Sequence, residues 1–138
     1  MLKANLWVTL IIYSIISTEK LGVTMQVVDK KISYKELEKM SENMFGGIVK
    51  AVVDVKKEIM IVDGHLHADE ELFMIESGSH QGDLWGINLV PNKAGTEDFI
   101  VFDSMINLRP SWGNKTRGVD DSKIQEKIRI IVNKLVAL

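Results

Sequence analysis

Two groups of residues in this chain have the types and spacing that chemistry needs. The first is Val62-Asp63-Gly64-His65-Leu66-His67, a β-branched run that ends in Asp-x-His-x-His. On an extended backbone alternate side chains point the same way, so His65 and His67 could share a divalent ion. Asp69 or Asp103 would complete the ligand set of a metal-assisted hydrolase. The second group is Asp103, Asn107 and Arg109, followed by Ser111, Asn114, Lys115 and Arg117. Arg109 and Arg117 are two of only three arginines in the chain. Guanidinium forks, amide side chains and a nearby helix start are the parts of an oxyanion or phosphate site. Arg109, Asn114, Lys115 and Arg117 are its anion-binding candidates, with Asp83, Asp103 and Asn107 as the supporting polar cluster.

Each group also has a plainer reading. His67 can help start a helix while His65 lies on the surface, and this reading outweighs metal ligation. An Asp103–Arg109 or Asp83–Arg109 pair can pin the loop, with Gly113 and Asn114 making its turns. Asp120 and Asp121 sit close to the following helix start and compete with an outside anion for its positive end. Of the tryptophans, Trp85 falls on an alternating apolar face and reads as core, whereas Trp112 lies in a polar loop and reads as exposed. Gly46-Gly47 lacks the Lys-Ser/Thr of a phosphate loop, and Ser104 has no histidine at a diagnostic spacing.

The elements that must position these residues follow from local patterns. Gln26–Asp29 reads as a short strand. Ser33 and Glu36 form a capping box, with Ile32 stapled to Leu37 and an apolar stripe through Met40 and Met44. Residues 48–55 and 59–63 read as a hairpin around Lys56-Lys57-Glu58. Asp69, Glu70 and Glu71 crowd the first turn of a second helix, whose core face is predicted to be Ala68, Leu72 and Ile75. Residues 84–90 and 99–108 are the next strand pair. Alternation over the second of these places Ile100, Phe102, Ile106 and Leu108 on one face and Asp103, Asn107 and Arg109 on the other. A last helix starts near Ser122, with Gln125 completing a capping box and Ile124, Ile128, Ile131, Val132 and Leu135 along one side. The order is β-α-β-β-α-β-β-α. Because hairpins dominate it, the expected class is α+β, a mostly antiparallel sheet with helices on one face.

With 138 residues and 46% hydrophobic content the chain is expected to form one domain with a working core. Zero cysteines remove disulfides, thiolate metal sites and cysteine nucleophiles, and fit a cytoplasmic setting. A net charge of −2 gives no global attraction for polyanions, which disfavours nucleic acid as a partner. Residues 1–24 stand apart: Leu6–Ile16 reads LWVTLIIYSII, an apolar run too short to span a bilayer. Three readings are open for it, namely a translation start at Met25, an export or anchoring segment, and an extra strand, with the late start preferred. Residues 25–138 form the single globular domain, which has no membrane segment.

Beyond these patterns the chain resembles a family of small bacterial and archaeal proteins known as a domain of unknown function. The resemblance is carried by His67-Ala68-Asp69, Asp83-Leu84-Trp85-Gly86-Ile87-Asn88-Leu89, Asp103–Pro110 and Gly113–Val119. It covers essentially all of the chain from Met25 onward, and implies a compact stand-alone cytoplasmic domain with no family activity to carry over. The Asp-x-His-x-His fragment is also similar to the first metal-binding motif of amidohydrolase-type hydrolases. A chain of this length cannot form their barrel, and His80 is the only other histidine. The reading favoured is a small non-catalytic binding module with an anion- or phosphate-binding loop and no cofactor, which forms a homodimer or takes a protein partner. A metal-assisted hydrolase and an RNA-binding module are the alternatives.

Overall fold

The computed structural model describes residues 24–44 and 46–138; the reading of residues 1–24 lies almost wholly outside them. The elements are β1 (Gln26–Val28), β2 (Ile32–Ser33), α1 (Tyr34–Glu42), β3 (Val49–Asp54), β4 (Ile59–Val62), α2 (His67–Glu76), β5 (Leu84–Leu89), β6 (Ile100–Val101), α3 (Ser122–Leu135) and β7 (Val136–Ala137). Five strands form one sheet in the order β1-β4-β3-β5-β6, every neighbouring pair antiparallel. The class is α+β. A parallel pairing of β2 with β7 ties the start of α1 to the end of α3.

Local chemistry accounts for most boundaries. The capping box at α1 is complete: Ser33 Oγ accepts from Glu36 N–H, and Glu36 Oε2 accepts from Ser33 N–H at 3.0 Å. The β3–β4 turn is held by Asp54, whose Oδ1 accepts from the N–H groups of Lys56 and Lys57 and whose Oδ2 accepts from Ser79 Oγ. At α3 the cap is Asp121, accepting from Lys123 N–H, while Gln125 donates to Val119 O. The expected Ser122/Gln125 box is therefore replaced by an aspartate cap one residue earlier, a type as well suited to that position as serine.

Register divides the sheet into two unlike faces. Ala51 and Val53 stand beside Met60, Val62, Trp85 and Ile87, and these join Leu37 of α1 and Ile128, Ile131, Val132 and Leu135 of α3 in the main apolar core. Each large aliphatic side chain among them, fully buried, stabilises the fold by about 1.5–3 kcal/mol. On the opposite face Val52, Ile61 and Leu84 meet Met74 of α2 in a small second cluster. The one-face arrangement expected from the sequence therefore holds for α1 and α3 only. α2 covers the other side.

Two further expectations are corrected. Residues 99–108 are not one strand: β6 ends at Val101, and Ser104 caps a short 3-10 turn over Met105–Asn107 by accepting from Ile106 N–H. The alternation that put Asp103, Asn107 and Arg109 on one face does not exist, and Ile106 packs against the second cluster while Ile100 sits in the first. The core face predicted for α2 is likewise reversed. Leu72 is 55% and Ile75 36% exposed, Ala68 is exposed too, and the buried residues are His67, Glu70 and Met74.

Candidate functional site

The loop after β6 exists because β6 is too short to cover its neighbour. It pairs with β5 only at Asn88 and Leu89, which leaves the backbone of Leu84–Gly86 without a strand partner on that side. Side chains take the strand's place. Asn107 Oδ1 accepts from Gly86 N–H at 2.8 Å and its Nδ2 donates to Gly86 O at 2.9 Å. Arg109 donates to Gln81 O at 2.8 Å and also to Leu84 O. Gly86 is required for this closure, since a Cβ there would lie 2.5 Å from Ser104 Oγ.

A second asparagine organises the rest of the loop. Asn114 Nδ2 lies within hydrogen-bond distance of the carbonyls of Asn107 (2.7 Å), Thr116 (3.1 Å) and Gly118 (2.9 Å), which share its two hydrogens, and its Oδ1 accepts from Asp120 N–H at 2.8 Å. Asp120 accepts from Lys115 N–H and from the Thr116 hydroxyl, and these bonds hold its carboxyl below the usual range. Arg117 pairs with Asp103 at 2.8 Å, both about half exposed. The anticipated pairing of Asp103 or Asp83 with Arg109 is not formed, because Arg109 is engaged by carbonyls. The structure thus gathers Asp103, Asn107, Arg109, Asn114, Lys115 and Arg117 in one loop that supplies its own anions, Asp103 and Asp120. Asp83 lies just before β5 and contributes its backbone, donating to His80 O and accepting from Val55 N–H.

The histidines do not act together. His65 is exposed, whereas His67 is buried and its Nε2 lies 2.7 Å from Ile87 O. A carbonyl only accepts, so Nε2 carries the proton. Burial lowers the His67 pKa, which keeps the ring neutral. Asp69 is exposed on α2. Among the described residues no three His, Asp or Glu side chains are grouped as a metal ion needs, so His65, His67 and Asp69 are not brought together as ligands.

Glu70 and Glu71, which the sequence marks only as first-turn charges of α2, are drawn inward by the fold. Glu70 is 0% exposed; its Oε2 accepts from Gly64 N–H at 3.1 Å and its Oε1 has no partner among the described residues. Burial raises its pKa well above the usual value, so the carboxyl tends to its protonated form. Glu71, one residue on, is also raised by burial, with Arg109 acting against that shift. The Arg109 guanidinium lies 4.4 Å from the Trp85 ring and 5.6 Å from the Trp112 ring, and burial lowers its pKa. Glycine at two positions was the available signal: Gly64, where a Cβ would sit 2.4 Å from Glu70 Cγ, and Gly86 inside a strand pattern.

The outer side of this region is apolar. Leu66, Leu72 and Ile75 on and before α2 are exposed, as are Met105, Leu108 and Trp112 on the loop, with Trp112 at 60%. The two segments adjoin, because the Met105–Asn107 turn packs against α2. Among the described residues no helix is long and apolar enough to cross a membrane.

A family model described as "Protein of unknown function (DUF5674)" matches residues 26–135, which span every element from β1 through α3. No curated protein and no solved structure matches the chain.

Proposed function

The chain belongs to the family described as a protein of unknown function (DUF5674), and from its geometry we propose that it is a non-catalytic interaction module. Its docking surface is the outer face of α2 together with the adjoining loop from Met105 to Trp112. The observation that carries this reading is the orientation of α2. The helix turns Ala68, Leu72 and Ile75 to solvent and buries a carboxylic acid in their place. Both halves of that choice oppose folding. Leaving two large aliphatic side chains partly out forgoes about half or less of the roughly 1.5–3 kcal/mol that full burial of each gives, and burying an incompletely bonded carboxyl costs roughly 1–3 kcal/mol. A helix held in the less stable orientation presents a surface for a partner.

The loop serves this surface by shape. Its two arginines already hold Asp103 and backbone carbonyls, and Asp120 accepts from the Lys115 N–H and the Thr116 hydroxyl, so the reading assigns recognition to apolar contact and to Trp112 rather than to a bound phosphate. Exposed aromatic residues of this kind are the usual anchors of interfaces. Zero cysteines are compatible with a cytoplasmic setting for the module. The test is a photo-crosslinking side chain placed in turn at Leu72, Trp112 and, as control, the exposed Glu97. A discrete adduct in cells from Leu72 and Trp112 but not from Glu97 is expected. Equal labelling from all three positions, or none from the first two, would overturn the reading.

A further inference from the structure

We propose that copies of this chain associate head to tail, the outer face of α2 on one copy seated against the outer face of α3 on the next. This rests on the reading of α2 as a docking surface and names what docks there. Two helices carry the complementary halves. On α2, Asp69, Leu72 and Glu76 are all exposed, at spacings of three and four residues. On α3, Lys127, Ile130 and Lys134 are all exposed, at the same spacings of three and four. Ile130 is 57% exposed, alone among the large apolar residues of α3.

Matching spacing gives matching reach. Charges seven residues apart on a helix lie about 10.5 Å apart along its axis. Laid side by side, Leu72 therefore meets Ile130 while Asp69 faces Lys127 and Glu76 faces Lys134. Exposed residues at intervals of three and four form the seam along which helices pack. The signs disfavour the symmetric alternatives. Two α2 faces would oppose acid to acid, since α2 has no basic residue in its last turn, and two α3 faces would bring Lys127 and Lys134 together with Glu126 as the one exposed acid beside Ile130.

One molecule cannot satisfy this contact by itself, because α2 and α3 cover opposite faces of the sheet. The interface is therefore between unlike patches, and such a contact propagates from copy to copy unless its rotation closes a ring. Exposed ion pairs and one apolar contact make a weak interface, so association is expected between roughly 10 µM and 1 mM.

Sedimentation velocity of the full chain over that range tests the proposal. The average mass is expected to rise with concentration past two chains and to fall with added salt. Leu72→Ser and Ile130→Ser each remove one patch from an exposed position. Each variant alone is expected to stay at one-chain mass, and an equimolar mixture to stop at two chains. Lys127→Glu with Lys134→Glu is expected to weaken association by about tenfold or more, and adding Asp69→Lys with Glu76→Lys to restore it. One-chain mass for the unaltered protein throughout would overturn the proposal, as would association by either serine variant alone that equals the parent. Adducts from Leu72 to another protein, with a monomeric chain, would leave the docking surface standing and remove only the second copy as its occupant.

Discussion

The two faces of the sheet are built from the same strands and differ in what they bury. Under α1 and α3 lies a continuous apolar core whose helical residues Leu37, Ile128, Ile131 and Leu135 are at most 1% exposed. Under α2 lies a cluster of four buried apolar residues, Val52, Ile61, Met74 and Leu84, set beside His67 and Glu70. Most buried side-chain atoms without partners lie around this second region, namely Glu70 Oε1 and Glu71 Oε2 on α2, Asn88 Oδ1 on β5 and Arg109 Nε on the loop, whereas the first core has Trp85 Nε1. The first face is built for stability. The second holds groups that stability alone would replace with aliphatic side chains, and it is the one that carries an exposed apolar surface on its outer side.

The comparison is broken most directly by truncation. Ile128→Ala on the first face is expected to cost about 2–5 kcal/mol, because a fully buried side chain leaves a cavity. Leu72→Ala on the outer side of α2 is expected to stay within about 0.5 kcal/mol. Urea unfolding followed by far-UV circular dichroism measures both, and equal losses would mean that Leu72 is packed rather than exposed. Next in size is Asn107→Asp. A carboxylate can still accept from Gly86 N–H but cannot donate to the carbonyls of Gly86 and Arg117. A loss of about 2–3 kcal/mol is expected from those groups and the buried charge.

The patterns that were legible in the sequence are those in which one residue decides its own neighbourhood. Ser33 with Glu36, the turn at Lys56–Glu58 and the stripe of α3 behaved as local chemistry dictates. Two features escaped because a distant partner decides them. The alternation in residues 99–108 was real as a pattern, yet Asn107 and Arg109 satisfy the edge of β5 with side chains, and this removes the reason for a strand. Ala68, Leu72 and Ile75 form a true amphipathic stripe, but a stripe does not say whether it faces the core or a partner. Contacts with distant residues orient the helix: Glu70 against Gly64, His67 against the Ile87 carbonyl and Met74 against the second cluster. For the same reason the loop cations have the pattern of ligand groups in the sequence, although in the fold Arg117 pairs with Asp103 and Arg109 with carbonyls.

Protonation sharpens the contrast between the faces. A carboxyl whose pKa is raised in the folded state contributes stability below its unfolded value, near 4.5, and loses it as pH rises through the folded value. His67, lowered in the folded state, has the opposite sign: its contribution is present above about 6.5 and is lost as pH falls through the folded value. Glu70→Gln keeps an acceptor for Gly64 N–H and cannot ionise. The variant is expected to be more stable than the parent by about 1 kcal/mol at pH 8 and to have a flatter alkaline limb. Thermal melts from pH 5 to pH 9 check this, and an unchanged alkaline limb would show that Glu70 is already ionised in the fold.

A small effect is expected at Arg117, and its contrast with Arg109 tests whether the loop is held by charge or by backbone closure. Arg117 and Asp103 are half exposed, so their 2.8 Å pair is screened by solvent. Arg117→Ala is expected to lower stability by less than about 1 kcal/mol, with the difference vanishing in salt. Arg109 instead fills the space between two indoles and closes the carbonyls of Gln81 and Leu84. Arg109→Lys keeps the charge but not the planar fork or the stacking, and is expected to lose about 1–2 kcal/mol regardless of salt. If the lysine variant matched the parent and the Arg117 variant did not, charge would be what holds the loop, and the side-chain closure of the β5 edge would be incidental to it.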